Sequence, residues 1–147
     1  MKNDTVEATI KAVVPVPNGY AIFLGPREKT IMIHVDLFIG NAITMAINEE
    51  KKERPLTHDL IVSMFQGLGI ELERIVISEM SNDTFFARII LRMENELGCK
   101  FLEIDARPSD SLVLALQRKR PILVAKNVLD GTEDMTQILE KISKQDG

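Results

Sequence analysis

Apolar and polar residues alternate from the start of the chain. Val6, Ala8, Ile10, Ala12 and Val14 interleave with Glu7, Thr9 and Lys11, the period of a half-buried strand. Pro15 and Pro17 are expected to end this strand, and Asn18-Gly19 offers the positive φ of a tight hairpin turn. Tyr20 to Leu24 returns, Gly25-Pro26-Arg27-Glu28 turns again, and Thr30 to Val35 forms a third strand. Residues 5–35 therefore read as a three-stranded meander.

The period then becomes helical. Phe38/Ile39, Ala42/Ile43 and Ala46/Ile47 form one apolar stripe, with Asp36 as its N-cap. The polar stretch Asn48 to Arg54 connects to a second helix, capped by Thr57. Its stripe is Leu60/Ile61, Met64/Phe65 and Leu68, and Gly67 and Gly69 suit its end. Alternation resumes at Leu72 to Ser78, turns at Ser81-Asn82-Asp83, and runs on from Thr84 to Met93. After a turn at Glu94 to Gly98, Phe101 to Ala106 returns antiparallel. A helix over about 109–119 leads to a short buried strand, Pro121 to Ala125. Met135, Ile138, Leu139 and Ile142 mark a last amphipathic helix over about 134–145. The sum is one α+β domain over residues 1–147, with a mixed sheet and about four helices. The helix 109–119 supplies one parallel crossover between strands 101–106 and 121–125.

Composition narrows the class. At 147 residues one domain is expected, able to bury roughly 70% of its unfolded surface without staples. Apolar content of 45% and charged content of 27% suit a soluble globular protein. No apolar run approaches a membrane span. Met1-Lys2-Asn3-Asp4-Thr5 has no apolar signal region, so a cytoplasmic location is expected. The single cysteine, Cys99, excludes an internal disulfide and a thiolate zinc cluster, and reads as a reduced structural thiol. A net charge of −4 argues against gripping nucleic acid by overall charge. The densest basic patch, Arg118-Lys119-Arg120, reads as a solvated helix C-terminus.

Candidate chemistry gathers at two turns. Arg54-Pro55-Leu56-Thr57-His58-Asp59 opens the second helix, and Asp105-Ala106-Arg107-Pro108-Ser109-Asp110 opens the third. Proline drives the residue before it into extended backbone, so each arginine is held just outside its helix. Thr57 or Ser109 can cap an orphan N–H, and Asp59 or Asp110 complements the dipole. Read plainly, these are two well-capped helix starts. Read functionally, they are two anion-facing sites with guanidinium forks for phosphate. On the long hairpin, Arg88 falls opposite or diagonal to Asp105, so a cross-strand ion pair is expected. Of the two imidazoles, His34 reads as a structural histidine within a strand. His58, with Asp59, Asp105 and Asp110, would make an oxygen-rich Mg²⁺ or Mn²⁺ site if the two helix starts converge. The chain has no phosphate-binding glycine loop and no nucleophile elbow.

Three blocks in order, Arg54-Pro55-Leu56-Thr57-His58-Asp59-Leu60, Asn82-Asp83-Thr84-Phe85-Phe86-Ala87 and Asp105-Ala106-Arg107-Pro108-Ser109-Asp110-Ser111, resemble the bifunctional nuclease family. Many of its bacterial members are filed as a domain of unknown function. The similarity covers most of residues 5–130, with Pro121-Ile122 fitting the following strand. The resemblance implies a small oligomeric α+β enzyme, at least a dimer, that hydrolyses DNA and RNA with a divalent metal. It carries Arg54, Thr57, His58, Asp59, Asp105, Arg107, Ser109 and Asp110 as candidate site residues. One region departs. After the third strand the family usually shows a glycine and, three residues on, a glutamate, where this chain has Asp36 and Ile39.

On this reading Asp105 and Asp110, with His58 or Asp59, hold the metal, while Arg54 and Arg107, with Thr57 and Ser109, grip phosphate. The rival reading is a non-enzymatic oligomeric module in which the same groups bind a small anion. A third makes the motifs subunit glue. All three require the two proline-led turns to meet in space.

Overall fold

The first strand runs further than its two prolines suggest. The computed structural model describes residues 4–145, so Met1-Lys2-Asn3 of the polar opening lies outside the described residues. Strand β1 (Thr5–Val16) passes straight through Pro15, which pairs with Tyr20 of β2 (Gly19–Gly25). On its other side β1 is paired only over Thr5–Ala8, so the missing proline N–H breaks no ladder there. The hairpin loop is Pro17-Asn18, with Asn18 at φ 65°, while Gly19 already belongs to β2. Strand β3 (Ile31–Asp36) completes the meander, with Ala21 opposite His34.

Helix α1 (Leu37–Ile47) starts at Asp36, whose Oδ1 accepts the Ile39 N–H at 2.9 Å. Its buried face is centred on Gly40 and Ile43, whereas Phe38 is 82% exposed, so the sequence stripe is rotated by about one position. Helix α2 (Thr57–Gly67) buries Ile61 and Phe65 in part and turns Leu60, Met64 and Leu68 outward.

Strands β4 (Ile70–Ser81) and β5 (Thr84–Asn95) form a long hairpin around Asn82-Asp83. Both loop residues have positive φ, 51° and 61°, the backbone a two-residue turn needs to follow strand twist. Strand β6 (Gly98–Ala106) pairs antiparallel with β5. Helix α3 (Pro108–Arg118) buries Leu112, Val113, Leu114 and Ala115 in succession and is the packing centre of the molecule. Strand β7 (Ile122–Ala125) follows, then a short helix the sequence pattern missed, α4 (Lys126–Gly131), and α5 (Thr136–Gln145).

All seven strands form one mixed sheet in the order β3-β2-β1-β7-β4-β5-β6. β7 runs parallel to β4, and hence to β6, so the crossover through α3 joins parallel strands separated by two others. The core is aliphatic: Ile22, Leu24, Ile31, Ile43, Ile75, Ile77, Leu112 and Val124 are all fully buried. The single-domain α+β architecture is as expected, with five helices rather than about four. Among the described residues no helix is long and apolar enough to cross a membrane.

Candidate functional site: a cavity at the sheet seam

The two turns do meet. His58 Nε2 lies 2.8 Å from Asp110 Oδ1, and Arg107 Nε donates to Asp110 Oδ2 at 2.8 Å. One carboxylate therefore joins the start of α2 to the start of α3. His58 is buried, Asp110 partly so, and the Arg107 side chain is 62% exposed.

The two helix starts are built differently. Arg107 is the N-cap of α3, with extended backbone (φ −68°, ψ 145°) imposed by Pro108, which is the first helical residue. Ser109 lies one step inside the helix, so it does not cap; Ser111 instead donates back to the Arg107 carbonyl at 2.9 Å. In α2 the N-cap is Leu56, which has no side-chain acceptor, and Thr57 is already helical. Asp59 takes over by accepting the Leu56 N–H at 2.7 Å, and it also accepts from Lys52 at 2.8 Å and Gln117 at 3.1 Å. The expected capping roles of Thr57 and Ser109 are thus corrected. The N-cap position falls one residue before the hydroxyl in α2 and two before it in α3.

Charge states follow from these partners. The hydrogen bond from His58 does most to lower the Asp110 carboxyl to about 2, with Arg107 adding to it against partial burial. Arg107 is raised above its ordinary value, first by the hydrogen bond to Asp110, and the charge of Asp36 adds to this. Burial pushes Asp59 upward, but Lys52, the Leu56 N–H and Gln117 together hold it below the usual carboxylate range.

Beside Arg107 opens a cavity of about 430 Å³. Its walls come from β3 (Met32 to Asp36), from the β4–β5 turn and the start of β5 (Asp83, Thr84, Phe85), and from Arg107-Pro108-Ser109. In sheet order β3 is one end and β5–β6 the other, so the cavity sits where the two ends of the sheet approach across α3. With its Nε committed to Asp110, the guanidinium keeps its two Nη groups for a ligand. His34, Ser109 and Thr84 add an imidazole and two hydroxyls, and Asp36 and Asp83 add carboxylates.

Of the candidates from the sequence, Arg107 and Ser109 line this cavity, and Asp110 and His58 stand behind Arg107 as its support. Asp59 serves the start of α2. Thr57 and Arg54 are exposed at that start and do not line the cavity. Asp105 is exposed on β6, in register with Arg88, but no ion pair closes between them. His34, Asp36, Asp83 and Thr84 are cavity residues that the site reading left out. His34 had a legible signal: Ile31, Ile33 and Val35 are buried, so strand alternation turns the imidazole outward, contrary to a structural role. Cys99 is exposed on β6 rather than packed as a structural thiol. In the basic patch, Lys119 pairs with Glu49 at 2.8 Å and Arg120 donates to the Glu73 carbonyl at 3.0 Å, as fits a helix end.

The donor set does not fit a metal ion within one chain. Among the described residues no three His, Cys, Asp or Glu side chains gather closely enough. Both Asp110 oxygens are already bonded.

Residues 22–136 match the family model of the bifunctional nuclease domain. Two relatives, both uncharacterized proteins of Mycobacterium tuberculosis (strains CDC 1551 / Oshkosh and ATCC 25618 / H37Rv), are each 34% identical over 107 residues. The alignments cover 70% of this chain and 61% of each relative. The chain thus matches less than two thirds of the length of either relative.

Proposed function

The chain belongs to the bifunctional nuclease domain family, and from that premise we propose that it hydrolyses phosphodiester bonds of DNA and RNA at the seam cavity. The carrying observation is Arg107, whose Nε is fixed by an ionised Asp110 and which lines a cavity together with an imidazole and two hydroxyls. In this reading the guanidinium binds the phosphate and neutralises charge that develops in the transition state. Ser109 and Thr84 hydrogen-bond the non-bridging oxygens. His34 accepts the proton of the attacking water, with Asp36 or Asp83 holding that water in place. His58 and Asp110 position Arg107 and touch no substrate.

No step here passes through a metal, because the donors of one chain do not converge. The test is cleavage of fluorogenic DNA and RNA by the wild type, Arg107→Ala and His34→Ala, each before and after EDTA. Mg²⁺ or Mn²⁺ is then added back. Loss of cleavage in both variants, with unchanged melting temperatures, supports the reading; full cleavage by both ends it. The metal add-back decides the divalent-ion expectation separately.

A second reading is favoured by the composition of the cavity. Asp36 and Asp83 accompany a single arginine, and the whole chain carries −4, which suits a small anionic ligand held without hydrolysis. A mononucleotide that raises the melting temperature, with no cleavage of any polymer, would select it.

A further inference from the structure

An aromatic side chain left in water beside a charged cavity asks for a partner. Phe38 is 82% exposed, two residues beyond Asp36, which lines the cavity, and Phe85, partly buried against the core, lines it too. Neither the core nor a neighbouring helix covers Phe38. A flat apolar ring two residues from a cavity-lining carboxylate is the kind of platform on which an unstacked base stacks.

The dimensions narrow the ligand. About 430 Å³ lies at the low end of the roughly 300–1,000 Å³ of small-ligand clefts, room inside for about one nucleotide. The electrostatics narrow it further. Arg107 is the one Lys or Arg among the lining residues described, and two carboxylates, Asp36 and Asp83, line the cavity with it. The outer face of the neighbouring hairpin is no basic track either, because Arg88 stands opposite Asp105 and Arg92 pairs with Glu71 and Glu94. Long polyanions are held by rows of cations that release many counterions, and this surface offers one contact.

We infer that the seam admits a single unpaired nucleotide of a single-stranded chain, its phosphate on Arg107 and its base stacked on Phe38. Duplex nucleic acid is excluded because its bases are not free to enter. The inference rests on the nuclease reading and names the substrate class of that site.

The experiment is equilibrium fluorescence anisotropy in EDTA, with probes checked by gel to be intact. Labelled single strands of about four and about twelve nucleotides are compared with a blunt duplex of about twelve base pairs. The two single strands bind within about threefold of each other, and the duplex binds at least about tenfold more weakly. The slope of log affinity against log salt lies near −0.7 to −1.5, the release expected for one or two phosphates. Phe38→Ala weakens single-strand binding about tenfold with an unchanged melting temperature, since the ring has no packing to lose.

Duplex binding equal to single-strand binding, a slope steeper than about −3, or no effect of Phe38→Ala overturns this inference and leaves the phosphate site standing. Wild-type binding that survives Arg107→Ala at full strength, or no binding of any probe, overturns the site as well.

Discussion

His58 Nε2 and Asp110 Oδ1 stand 2.8 Å apart although 52 residues separate them in the chain, and this contact ties the start of α2 to the start of α3. Asp110 is the element both turns share, since its second oxygen holds Arg107 Nε. Its carboxyl falls from 3.8 to about 2, so the fold favours the ionised form. The sign is then fixed: the stabilisation is fully present above about pH 4 and is lost as the pH falls through about 2. The full shift corresponds to about 2 kcal/mol, and partial exposure reduces the realised gain to about 1 kcal/mol. Asp110→Asn should therefore be less stable than the wild type at neutral pH, with the gap closing between about pH 4 and 2. Urea melts across that range check it, and a gap that persists at pH 2 would sink the assignment.

The same carboxylate predicts an effect on function without contact to substrate. Asp110→Asn leaves Arg107 charged but weakens the bond that fixes its fork. The expected result is a loss of about tenfold to a hundredfold in kcat/KM, smaller than the loss for Arg107→Ala. Equal losses in the two variants would mean that Asp110 acts directly.

Arg107→Lys separates charge from geometry. A lysine ammonium keeps the positive charge but cannot bond Asp110 through one nitrogen while presenting two others to a phosphate. Cleavage should fall nearly as far as in Arg107→Ala, by about a hundredfold to a thousandfold. The melting temperature should change little, because the side chain is 62% exposed. Steady-state kinetics with thermal melts test both halves, and near-normal activity of the lysine variant would show that charge alone suffices.

Much of this architecture is legible in the sequence. The alternation of Val6, Ala8 and Ile10, the Asn82-Asp83 turn and the Asp36 cap each depend on neighbours in sequence, and each appears as expected. The strand runs on through Pro15 because only its β2 edge is paired there, which is a tertiary fact. The orientation of α1 differs from the stripe for a related reason. Gly40 lets Tyr20 lie against the helix, so the closest-packed face is the one with the smallest side chain, which a hydrophobic stripe does not reveal. At the site, the extended backbone of Arg107 follows from Pro108, whereas the convergence of the two turns depends on the packing of α2 against α3, which no local pattern carries. The cavity itself was not legible. It joins β3 to the β4–β5 turn, the two ends of a sheet whose strand order the sequence does not encode locally. Ile39 shows the limit from the other side. The resemblance set it where a glutamate is expected, and it packs in part against the core.

The contact between Gly40 and Tyr20 gives the last prediction. A Cβ built on Gly40 would lie 2.0 Å from Tyr20 Cδ2 and 2.8 Å from its Cγ, well inside van der Waals contact. Those are atoms near the root of the ring, so a small torsion of Tyr20 cannot clear them. Its hydroxyl is also tied to Asn41 Oδ1 at 2.9 Å. In an isolated helix, alanine is better than glycine by about 1 kcal/mol, so propensity alone makes Gly40→Ala stabilising. Overpacking of a buried site costs about 1–3 kcal/mol and acts in the opposite direction. The clash should win, and Gly40→Ala should lower the melting temperature. In a Tyr20→Ala background the added methyl meets no ring, so the same substitution should become neutral or stabilising. A double-mutant cycle by thermal melts reads the coupling directly, and additive effects would show that the ring and the helix backbone are not in contact.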